Sequence, residues 1–124
     1  MIKLRASDGA VLGTFGVGSV PFGVAFDGAN IWVANNGSNN VTKLQASDGA
    51  PLGTFAVGSG PFSVAFDGAN IWVSNQFSNN VTKLRASDGT VLGTVAVGVD
   101  PRGVAFDGAD VWVANNADGT VSKL

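Results

Sequence analysis

The side chains in this chain that could do chemistry are few, and they recur on a fixed spacing. Trp32, Trp72 and Trp112 stand 40 residues apart, and a row of exposed indoles could stack a sugar or another planar ligand. Asp-Gly pairs recur at Asp8-Gly9, Asp48-Gly49 and Asp88-Gly89, and again at Asp27-Gly28, Asp67-Gly68 and Asp107-Gly108. Clustered carboxylates could hold a cation or move a proton. Lys3, Lys43, Lys83 and Lys123 share one repeat position and could form a basic ring. Each group also has a plainer role. The Trp residues are flanked by β-branched neighbours, which suits core packing. Asp before Gly caps its own backbone in a turn. The Asn-rich segments Asn35 to Asn40 and Asn75 to Asn80 lack the Asp ladder and closing Glu of a calcium loop, and read as hairpin loops. The Lys residues are expected near a sheet rim, where charge discourages stray pairing.

Departures from the repeat are the sharper leads. Phe22 and Phe62 give way to Arg102, and Val20 and Gly60 to Asp100. Arg102 and Asp100 are therefore candidate ligand contacts, with an anion as the natural partner of a guanidinium. Phe77 replaces Gly37 in a loop and is a candidate exposed apolar contact. Asp118-Gly119 is expected to tighten the last hairpin turn.

Composition narrows the chemistry further. The chain has no His, Tyr or Cys, and all nine acids are Asp. The commonest general base, the commonest metal ligand and every thiolate are thus missing. No catalytic residue, metal site or cofactor is expected. The net charge of −2 and the lack of a basic block give little support to nucleic acid or an anionic membrane as partner. No apolar run is long enough for a membrane helix, and "MIKLRASDG" has no signal-peptide core.

The elements that must position these groups follow from the repeat. Residues 5–44 match 45–84 at 32 of 40 positions and 85–124 at 27, and residues 1–4 resemble the tail of a further copy. The 124 residues therefore read as one three-repeat segment with no second domain. Each unit reads as four short strands. In the first unit and the start of the second they are Gly23 to Phe26, Ile31 to Ala34, Val41 to Leu44 and Leu52 to Val57, divided by Asn, Asp, Gly and Pro. No helical periodicity is present. Ile31 and Val33 point one way and Trp32 and Ala34 the other, so both faces are apolar, as in a sheet sandwiched between others. Four antiparallel strands in about 40 residues, repeated, predict an all-β fold of β-propeller blades. A parallel β-helix is the alternative.

The stretch "IWVANNGSNNVTKL" (Ile31 to Leu44) resembles the repeat of the YVTN family of bacterial β-propellers, with Trp where that motif often has Tyr. "PFGVAFDG" (Pro21 to Gly28) is similar to the first strand of those blades and of the related NHL repeats. The similarity spans the whole chain. It implies a propeller but no one activity, because the superfamily includes binders, lyases and lactonases. Virginiamycin B lyase-type propellers use His and Glu, and gluconolactonase-type propellers hold a metal partly through Glu. Neither residue occurs here. A propeller enzyme acting at its central channel is thus the alternative to a self-assembling scaffold or binding module, and the scaffold, not an enzyme, is expected.

Propellers have about 4 to 8 blades, more than three repeats supply. In blade order the chain holds strands three and four, two whole blades, then strands one, two and the start of three. Head-to-tail association of copies would close a ring. The junction is expected at Met1, Ile2, Lys3 and Leu4 of one copy and Val121, Ser122, Lys123 and Leu124 of the next, in a composite blade where the two ends compete for the third-strand position or pair side by side. A dimer would give six blades and a trimer nine. The slim outer strand Val11 to Thr14 and the Gly- and Ala-rich unit fit the narrow wedges of nine. High identity between copies fits recent amplification, consensus engineering, or a fragment of a larger propeller.

Overall fold

Local sequence dictates an alternation of short extended runs and tight turns, and the computed structural model, which describes residues 1–124, contains 13 strands and no helix. β1 (Ile2–Leu4) and β2 (Val11–Thr14) form a two-stranded sheet. β3 (Pro21–Phe26), β4 (Asn30–Asn35), β5 (Asn40–Gln45) and β6 (Pro51–Ala56) form the second sheet in chain order. β7 (Pro61–Phe66), β8 (Asn70–Asn75), β9 (Asn80–Arg85) and β10 (Val91–Ala96) form the third. β11 (Pro101–Phe106), β12 (Val111–Asn115) and β13 (Thr120–Lys123) form a three-stranded fourth. Every pairing is antiparallel between consecutive strands.

The first strand of each unit begins at the proline, two residues earlier than turn chemistry predicts. Proline has no N–H to give a ladder and is tolerated at a strand start. The register slips between Pro21 and Val24, Pro61 and Val64, and Pro101 and Val104, so these starts are bulged. At the Asp-Gly corners Gly28, Gly68 and Gly108 have φ of 97°, 99° and 100°. Asp27 Oδ1 accepts from Ala29 and Asn30 N at 3.0 and 2.7 Å, the self-capping turn expected of this residue. In the β4–β5 hairpin Asn39 takes φ 55°, and Gly119 takes the same left-handed position at φ 65° in the β12–β13 hairpin. That last hairpin pairs Asn115 with Thr120, just as the other pairs Asn35 with Asn40. The expected tightening does not occur, since Gly119 replaces Asn39 within one turn geometry.

Sheets pack face to face in chain order, with β3 against β7 and β7 against β11. Where the second sheet meets the third, Trp32, Val41, Ile71, Val73 and Leu84 are buried in one cluster, with Phe55 and Phe66 against it. Val81, Val111 and Val113 form a smaller cluster between the third and fourth sheets. Burial of both faces of β4 and β8 matches the two-sided apolar pattern of their sequences. The outer faces of the array are different. Ile2, Leu4, Val11, Phe22, Val24 and Phe26 are exposed on the first two sheets, and Val91, Leu92, Trp112 and Val121 on the last two.

Candidate functional site

The three Trp residues are held by a device that composition alone does not reveal. The Asp that caps the turn also reaches the indole. Trp32, Trp72 and Trp112 Nε1 donate to Oδ2 of Asp27, Asp67 and Asp107, each at 2.7 Å. One carboxylate thus closes the hairpin corner and fixes the aromatic ring. The signal was present in the sequence as an Asp five residues before every Trp. Above each ring lies the cross-strand lysine, with Nζ of Lys43, Lys83 and Lys123 at 5.0, 4.9 and 5.4 Å from the ring centroids, within cation–π range.

These bonds set the protonation of the carboxyls. Burial raises the Asp27 and Asp67 carboxyls, but the indole and the backbone N–H donors outweigh it and hold both below the usual value. Asp107 is held down to about 2, chiefly by the Asp110 N–H, then by Trp112 and Ala109, with Lys123 assisting. Such carboxylates are acceptors, poorly suited to donating a proton near neutrality. No three of the Asp side chains converge as a metal-binding group.

Lys43 and Lys83 are not rim charges, whereas Lys3 and Lys123 do lie on the edge strands β1 and β13. Lys43 is 7% exposed on β5, which is paired on both sides. Its ammonium donates across the sheet interface to Ala86 O at 2.8 Å and Ser87 O at 3.4 Å. Lys3 makes the equivalent bonds to Ala46 O at 2.9 Å and Ser47 O at 3.3 Å. Lys3 and Lys43 therefore clamp their own sheets to the turn of the next, which for Lys43 offsets the cost of burying an ammonium. Lys83 makes no hydrogen bond to this chain, and Lys123 pairs with Asp110 at 3.1 Å. Asn35 and Asn75 are likewise fully buried rather than loop-exposed. Their Nδ2 groups donate to Thr42 and Thr82 at 2.9 and 2.8 Å.

Of the symmetry-breaking residues, Arg102 lies on β11 among the side-by-side first strands, and Asp100 just precedes it. Phe22 and Phe62 have ring centroids 4.9 Å apart, and the Arg102 guanidinium lies 5.3 Å from the Phe62 ring. Arg102 Nη2 pairs with Asp100 Oδ2 at 3.0 Å, and its Nε donates to both Asp100 oxygens. Arg102 and Asn116 together lower the Asp100 carboxyl. The pair is self-neutralising, so Arg102 brings the position little net positive charge. Ser74, standing where Ala34 and Ala114 are, donates to Arg102 O and anchors β11 to the third sheet. Phe77 is 64% exposed and covers Gly60, in the loop whose Asn79 accepts from the Asp100 N–H at 3.0 Å. The candidate junction residues fall at opposite ends of the array. Met1, Ile2, Lys3 and Leu4 lie in and beside β1, and Val121, Ser122, Lys123 and Leu124 in and beside β13.

The feature that stands out as a binding surface is a cavity of about 660 Å³ between the first and second sheets. Phe15, Phe26, Ile31, Leu44 and Ala46 are among its walls, and most of its lining is apolar.

No family model and no curated protein matches the chain. Solved structures do resemble it. Kuenenia stuttgartiensis hydrazine synthase has a TM-score of 0.74 at 28% identity, over 86% of this chain and 33% of that one. A protein of unknown function from Desulfotomaculum acetoxidans DSM 771 has a TM-score of 0.78 at 21% identity, over 99% of this chain and 47% of that one. This chain therefore spans about a third and about half of those chains. The likeness is to an all-β array of antiparallel sheets.

Proposed function

We propose that this chain is a self-assembling β-propeller module, a scaffold or binding platform rather than an enzyme, whose copies join head to tail into a ring. The observation that carries this is the complementarity of its end sheets. One end offers β1 and β2, which align with the third and fourth strands of the complete sheets. The other offers β11, β12 and β13, which align with the first three. Set together, they supply five strands for a four-stranded blade, with β1 and β13 both at the third-strand position, so the two ends exchange there or pair side by side.

Large apolar residues are exposed at both ends. A buried aromatic removes about 150–250 Å² from water, worth roughly 4–6 kcal/mol as an upper bound. That is comparable to the whole net stability of a small domain, about 5–15 kcal/mol. The YVTN-like motif and the 40-residue period support the propeller fold. Two copies give six blades and three give nine. The outer strands of the complete sheets, β6 and β10, are six residues long, so the slim β2 is no guide to blade width, and only the small side chains of the unit favour nine. No observation here favours lyase or lactonase chemistry, and a divalent metal bound in the central channel would bring it back.

Native mass spectrometry tests the assembly. The expected species has two or three times the 12.5 kDa chain mass. A compact single chain at micromolar concentration overturns the proposal.

A further inference from the structure

The cavity between the first and second sheets is walled by residues that stand 40 positions before those holding Trp32. Trp32 is fully buried in a cluster with Ile71, Leu84 and Ala86, against which Phe55 and Phe66 pack, and its ring lies 5.7 Å from that of Phe55. Subtracting one repeat gives Ile31, Leu44, Ala46, Phe15 and Phe26, all of which line the cavity. The chain thus contains both an occupied site and an unoccupied duplicate of it. No indole of the chain enters the duplicate. The indole that is not covered is Trp112, 39% exposed on the fourth sheet, already oriented by its bond to Asp107.

We infer that the cavity is the receptor for Trp112 of a second copy of this chain, inserted as Trp32 is inserted between the second and third sheets. This rests on the head-to-tail assembly proposed above and names the contact that sets its direction and register. A second observation agrees with the same placement. Lys3 donates to Ala46 O and Lys43 to Ala86 O, each 43 residues on. Lys83, whose ammonium has no hydrogen-bond acceptor in its own chain, would meet the carbonyl of Ala6 in the neighbouring copy when Trp112 is seated. The contact is heterologous, because knob and hole lie at opposite ends, so it propagates until a ring closes. A buried Trp filling a preformed apolar hole has the chemistry of an interface hot spot.

A photoreactive benzoylphenylalanine at position 112, in a mixture of light and isotope-heavy chains, tests the contact. Irradiation is expected to join light to heavy chains, with the link in the peptide holding Phe15 or in the segment from Phe26 to Ile31. Trp112→Ala is expected to raise the dissociation constant of the assembly at least about 30-fold and to leave the chain folded. If the probe at 112 itself blocks assembly, the same probe at Phe15 is expected to label residues 111–115 of another copy. An oligomer whose links fall elsewhere, or whose mass distribution is unchanged by Trp112→Ala, overturns the insertion and leaves the assembly standing. A wild-type chain that is a monomer removes both.

Discussion

Trp32 and Trp112 share a residue type, a strand register and a carboxylate clasp, yet Trp32 is fully buried and Trp112 is 39% exposed. The same contrast holds for the lysines above them. Lys43 is buried and bonded to the next sheet, while Lys123 turns to an exposed Asp110. Nothing in the local sequence differs enough to cause this. The difference lies in the neighbour, since β4 has the complete third sheet packed on its Trp32 face and β12 has no further sheet on its Trp112 face. A repeated unit therefore has no burial of its own. It acquires burial from the unit beside it, as expected where each repeat contacts its neighbours and little else.

The largest test of that contrast is truncation of the two indoles. Trp32→Ala is expected to cost about 3–5 kcal/mol of folding stability, the range for deleting a buried Trp. Trp112→Ala, measured in urea at a concentration where the chain is dissociated, is expected to cost less than about 1 kcal/mol. Equal losses would mean that the fourth sheet is as well covered as the second. A smaller effect separates the lysines. Lys43→Met strands the buried Ala86 carbonyl and is expected to cost about 1–3 kcal/mol. Lys83→Met, which strands nothing within the chain, is expected to lie within about 0.5 kcal/mol of wild type. A loss at Lys83 matching that at Lys43 would break the distinction.

The smallest effect concerns acid. The Asp107 carboxyl is depressed from 3.8 to about 2, so its contribution to stability is fully present above about pH 4. That contribution fades as pH falls through about 2, because the folded state resists the proton that the unfolded state accepts. The carboxyl resonance of Asp107 followed by NMR should titrate near 2, and Asp107→Asn should flatten that part of the acid-unfolding curve. A midpoint near 4 would show that the exposed clasp on β12 does not hold its indole in solution.

Much of the fold was legible because it is local. Asn, Asp, Gly and Pro at the turns and β-branched residues between them place the strands to within a residue or two, apart from the bulged prolines. The 40-residue period marks the sheets. The role of Asp27 as a turn cap could be read from Asp-Gly, and its bond to Trp32 was encoded in a spacing of five that recurs three times. Other features were not legible. Lys43 reads as a surface residue because lysine usually is one, and its acceptor lies 43 residues away on another sheet. Asp100 pairs with Arg102 from a backbone of φ 55°, which a sequence of Val, Gly and Asp at equivalent positions does not announce. The cavity that duplicates the Trp32 site could not be seen either, because it is defined by what a neighbouring strand fails to cover.

The sequence by itself determined the strands, the corners, the period of 40 and the Asp–Trp spacing of each clasp. These depend on side chains within a few residues of one another and on the short reach of backbone hydrogen bonds. Only the tertiary structure decided which indole is buried, which ammonium finds a carbonyl and which apolar face stays open. Each of those depends on a sheet about 40 residues away, and burial is a property of two surfaces brought together.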